Sequence, residues 1–125
     1  MSKSTPEGKI KEKVKSLLNM YGCVPASMAA RATLAHDGWY FMPVGGPMSG
    51  VSGIPDFVGH FYGRFFAIET KADETKKPTV LQQNQISAIN ISGANAFVVG
   101  GPDSLSDVET WLTKVLREEL NAKQR

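Results

Sequence analysis

Cysteine is all but absent. Cys23 stands alone among 125 residues, so no intrachain disulfide can form and no cysteine-based zinc cluster exists. His36 and His60 are the only histidines, too few to complete a structural zinc site. No apolar run approaches the ~20 residues that cross a bilayer. The N-terminus lacks the apolar core of a signal peptide, so a soluble intracellular protein is expected. An excess of charge of one sign is missing as well. Lys and Arg number 14 against 12 Asp and Glu, a formal +2. That balance neither demands nor excludes a nucleic-acid partner; such a claim has to rest on where the charges sit. Repeats and coiled-coil heptads are lacking too. The length suits one domain, residues 1–125, with a modest core.

Helical and strand periodicities alternate along the chain. Ser4 or Thr5, then Pro6 and Glu7, start a helix whose stripe is Ile10, Val14, Leu17 and Leu18; Gly22 ends it. Met1 to Thr5 reads as a frayed lead-in. Residues 23–37 read as a break followed by a short extra helix or ordered loop from Ala26 to Ala35. Arg31 there reads as solvated or phosphate-directed, and Cys23 as a small buried side chain. Trp39 to Val44 is the first expected strand, with Pro43 marking its end. Gly45 to Ser52 reads as a loop able to bring backbone amides to an anion, or as a plain surface loop. It lacks the spacing of a P-loop.

The next stretch carries the chemistry. Pro55 presents Asp56 at the start of a strand, Phe57 to Phe61. Tyr62-Gly63 turns the chain into a third strand, Arg64 to Ala72. Its run Phe65 to Ile68 suggests a central strand covered on both faces. Glu69 ends that run. A buried carboxylate must be paired or bind a cation, and the strand period of two puts Glu69 and Lys71 on one face. Lys71 as a plain salt-bridge partner is the structural alternative. Two converging carboxylates make a hard oxygen site for Mg²⁺ or Mn²⁺, and a neighbouring ammonium can orient a water or balance phosphate charge. Lys76 and Lys77 follow on a polar loop. A helix from Val80 to Ser92 with Thr79 as cap, a strand from Ala96 to Gly100 and a last helix from about Asp107 to Leu120 complete the chain. Ser104 or Ser106 is its expected cap, and Trp111 reads as core or interface. Glu7 is either a first-turn residue helped by the helix dipole or a further acid at the site. Gln85 is either an ordinary helix residue or an amide facing the site.

The Pro55-Asp56 pair, twelve residues, then Glu69-Thr70-Lys71 resembles the PD-(D/E)xK nuclease signature. With Gly53 to Phe57, Phe66 to Lys71, and Leu81 through Gln85, the chain is similar to the VRR-NUC (virus-type replication-repair nuclease) branch, in particular its stand-alone, phage-like members. The resemblance implies an α/β restriction-endonuclease-like core, a small mixed central sheet flanked by helices. It implies a Mg²⁺- or Mn²⁺-dependent DNA endonuclease, with Asp56, Glu69 and Lys71 catalytic and Gln85 beside them. Glu7, Asp56, Glu69 and the carbonyl of Thr70 would hold the metal. It further implies a homodimer acting on branched DNA such as Holliday junctions, in the cytoplasm of a phage-infected host. Neither a membrane nor an organic cofactor is expected. Two other classes stay open: a non-catalytic nucleic-acid-binding module derived from a nuclease fold, and a small-molecule metal hydrolase.

Overall fold

The computed structural model describes residues 4–31, 37–44 and 50–124. Helix α1 (Pro6–Met20) begins where Thr5 accepts a 2.9 Å hydrogen bond from the Gly8 N–H, with Pro6 in the first turn. Its buried residues, Ile10, Val14, Leu17 and Leu18, are the expected stripe. Gly22 then takes a positive φ of 92°, which lets the chain leave the helix at little steric cost.

Strand β1 (Cys23–Pro25) was not expected from sequence. Only Cys23 of its three residues is buried, so no alternation announces it. It lies at the sheet edge, where the missing N–H of Pro25 is tolerated. The following Ala26–Arg31 is a 3₁₀ helix, the start of the alanine-rich segment read as a helix or loop. The remainder of that segment, residues 32–36, lies outside the described residues, as do the Arg31 side chain and the glycine loop at 45–49.

Strand β2 (Gly38–Phe41) stops short of Pro43. Strand β3 (Phe57–Phe61) has the expected bounds and β4 (Arg64–Thr70) nearly so. Between them Tyr62 (φ 50°) and Gly63 (φ 79°) form the tight turn. Helix α2 (Val80–Ile91) leads into β5 (Asn95–Val99). The sheet order is β1-β2-β3-β4-β5. Its outer pairs are parallel and its inner pairs antiparallel, so the sheet is mixed, and β4 and β5 are parallel as the intervening helix requires.

Helix α3 (Pro102–Lys123) starts earlier than expected. Its N-cap, Gly101, has no side-chain cap. Instead the Glu74 carboxylate arrives from a distant loop and accepts from the Ser104 N–H (3.1 Å) and hydroxyl (2.8 Å). No local pattern announces a cap from 30 residues away.

Tyr40, Phe57, Phe61, Phe66, Ile68 and Val99 join the stripes of α1 and α3 in one core. Trp111 packs against Phe61, Phe66 and Phe97, with ring centroids 5.9–6.5 Å apart. Ala67 and Ile86 are buried outside that cluster, and α2 packs on β4 and β5. Among the described residues the outcome is a mixed five-stranded sheet flanked by three α-helices. Among the described residues no helix is long and apolar enough to cross a membrane.

Candidate active site

The end of β4 collects the residues expected to do chemistry. Asp56 arrives on a rigid lead-in. Gly53 has φ 81°, and a Cβ there would lie 2.5 Å from the Leu81 carbonyl carbon and oxygen and 2.8 Å from the Gln82 nitrogen. The loop before Asp56 therefore rests on the first turn of α2. Pro55 is buried; its ring fixes its own φ and holds Ile54 extended. The Asp56 Oδ2 atom accepts from the Thr70 N–H at 2.9 Å and the Thr70 hydroxyl at 2.6 Å. Thr70 thus ties the first acid to the strand that carries the second.

Glu69 is only 3 % exposed. Its Oε2 lies 3.6 Å from the Lys71 ammonium, while Oε1 is buried without a hydrogen-bond partner. Burial pushes its pKa up from 4.5 to about 7; Asp56 and, more weakly, Glu7 push the same way, and Lys71 opposes them. Lys71 also donates a 2.7 Å hydrogen bond to the Gln82 Oε1. Glu7 stands at the rim, with the Lys11 ammonium 3.5 Å from its Oε2 and 3.9 Å from the Asp56 Oδ1.

Asp56, Glu69, Thr70 and Lys71 are therefore brought together, and Glu7 approaches them through Lys11. Among the described residues, no three of His, Cys, Asp and Glu converge in a metal-binding group. Gln85 is half-buried on α2, but the amide that meets Lys71 belongs to Gln82. Thr79-x-x-Gln82 has the spacing of a capping box, and both halves of the box form. That spacing was a legible signal for Gln82. Lys11, four residues after Glu7, was legible only as a helical ion pair; its reach to Asp56 was not.

Cys23 is buried, and burial, with Asp37 adding to it, pushes its thiol up to about 12. It is a packing residue, since a thiol so hard to ionise is a poor nucleophile.

The sheet order and helix placement define a restriction-endonuclease-like α/β core. A search against family models and a search against curated proteins each return no match. A solved structure described as "VRR_NUC domain" superimposes with a TM-score of 0.59 over 90% of this chain and 96% of that chain, at 23% identity. The chain has the fold of that domain.

Proposed function

We propose that the protein is a divalent-metal-dependent endodeoxyribonuclease. The carrying observation is Glu69: a buried carboxylate with one unpartnered oxygen, beside Asp56 and Lys71. Burying an uncompensated charge is costly, and mutual repulsion between the two acids adds to the cost. A dication offsets both terms. The donor set suits Mg²⁺ or Mn²⁺, since Mg²⁺ sites commonly use one or two carboxylates and leave other positions to water and phosphate. Asp56 and Glu69 are the proposed ligands, with the Thr70 carbonyl and Glu7 as further ones. When bound, the ion supplies Lewis-acid charge for a phosphodiester and acidifies a water.

The residues of the chain do the rest. Thr70 fixes Asp56 through two hydrogen bonds, so the carboxylate needs little reorganisation to act. Lys71, one residue past the end of β4, holds its ammonium 3.6 Å from Glu69 Oε2. It directs a proton donor toward the attacking water or a non-bridging phosphate oxygen, where negative charge grows in the transition state. Lys76 and Lys77, exposed on the loop after Lys71, receive the DNA backbone as point charges that carry no sequence information. We infer further that the working unit is a homodimer on branched DNA. One site cuts one strand, and a two-fold pair supplies symmetric cuts.

A second reading is a nucleic-acid-binding module without chemistry; the absence of a three-acid metal group among the described residues favours it. One experiment separates the two. Mn²⁺ is titrated calorimetrically into the wild type, Asp56→Ala and Glu69→Ala, and all three are assayed on linear, flap and four-way DNA. The nuclease reading expects one divalent site and cleavage in the wild type, with both lost in each variant. Near-normal cleavage by either variant refutes the assignment.

A further inference from the structure

Lys71 needs more than a strand to aim it. Its stem has four flexible carbons, and only its ammonium can serve a phosphate or water. We infer that Gln82 is the positioning residue for Lys71, and that it must be a neutral amide; this rests on the nuclease reading above.

The Gln82 Oε1 atom accepts two hydrogen bonds, from the Lys71 ammonium at 2.7 Å and from the Thr79 N–H at 2.9 Å. The second bond belongs to the capping box of α2, completed by the Gln82 N–H on the Thr79 hydroxyl at 3.2 Å. The oxygen is thereby pinned to a helix terminus, and so is the lysine that donates to it. An ammonium has three donors. One meets Gln82 and a second faces Glu69 Oε2, which leaves the third for substrate. The same helical turn supports the backbone of Gly53 before Asp56. A single turn of α2 therefore sets both the acid's approach and the lysine's direction.

The choice of amide follows from charge. A capping box accepts Glu or Gln at this position, and the helix dipole prefers Glu. A carboxylate at 82 would place Lys71 between two anions and spend its charge within the protein. It would also add one more negative group to the Glu69, Asp56 and Glu7 carboxylates already there. Gln82 supplies the cap and the anchor while leaving Lys71 charge for the phosphate.

Three variants test this: Thr79→Ala, Gln82→Ala and Gln82→Glu. Each is measured by thermal denaturation, by a nitrogen-15 spectrum selective for lysine ammonium protons, and by single-turnover cleavage of DNA with Mn²⁺. Thr79→Ala and Gln82→Ala both weaken the cap and lower Tm. Only Gln82→Ala loses the slowly exchanging Lys71 ammonium signal, and it cleaves about tenfold more slowly at little change in DNA affinity. Gln82→Glu regains Tm and the signal yet stays about tenfold slow. An unchanged Lys71 signal in Gln82→Ala, or equal rates for Gln82→Ala and Thr79→Ala, overturns the positioning role. Wild-type rates in Gln82→Glu overturn the need for an amide. A wild type that cleaves no DNA refutes the nuclease reading instead, and the ammonium spectrum alone then decides whether Gln82 holds Lys71.

Discussion

Replacing Glu69 by glutamine should stabilise the metal-free protein, by an amount that grows as pH rises from about 4.5 to about 7. The structure gives the magnitude. Glu69 is buried, one oxygen is unpartnered, and its pKa is raised from 4.5 to about 7. Between those values the unfolded chain has released the proton while the native protein still holds it. The native state binds more protons, so stability falls as pH rises through this window, and above about 7 the deficit is constant. The interval is worth about 3 kcal/mol at about 1.4 kcal/mol per pH unit. The attraction of Lys71 is already within that net figure. Glutamine has the same shape and no charge, so the gap between Glu69→Gln and the wild type should be smallest near pH 5 and widen to about 1–3 kcal/mol in the variant's favour at pH 8. In Tm the gap is on the order of 10 °C. The assay is thermal and urea denaturation of both proteins from pH 5 to 8 with a chelator present. Adding Mn²⁺ at pH 8 should raise the wild-type Tm and leave the variant unmoved, since only a ligand of the native state stabilises it. A constant offset across the pH range, or a variant less stable at pH 8, refutes the picture of Glu69 as a buried charge that Lys71 compensates only in part.

Three further outcomes are expected. Lys71→Ala should keep most of the Mn²⁺ affinity in calorimetry but lose at least about tenfold in single-turnover cleavage, about 1.4 kcal/mol of transition-state stabilisation; an unchanged rate leaves Lys71 with a purely structural role. Gly53→Ala combines a positive φ with a Cβ 2.5 Å from the Leu81 carbonyl. It should cost about 1–3 kcal/mol in urea denaturation and weaken cleavage with it, whereas wild-type stability would show that the loop does not rest on α2. Light scattering at micromolar concentration should report a dimer, alone or with four-way DNA, and a monomer in both conditions rules the dimer out.

Much of this protein was determined by sequence alone, because the signals involved are local. The stripe of α1, the bounds of β3, the Tyr62-Gly63 turn and the β4–α2–β5 order follow from periodicity, caps and chain reversal. The strand period of two also put Glu69 and Lys71 on one face. Tertiary structure decided what depends on distant partners. Strand β1 exists because β2 offers it a parallel edge, and α3 starts at Pro102 because Glu74 caps it from a separate loop. Trp111, which read as core or interface, is half-buried and packed against the core. The site shows the same division. The chain spells out Asp56, Glu69 and Lys71, but not that Thr70 holds Asp56, that Lys11 stands between Glu7 and Asp56, or that Gln82 rather than Gln85 meets Lys71. The first depends on how the lead-in to β3 meets the end of β4, and the others on where α1 and α2 begin relative to β4. That is set by packing across the sheet, which spacing along the chain does not encode.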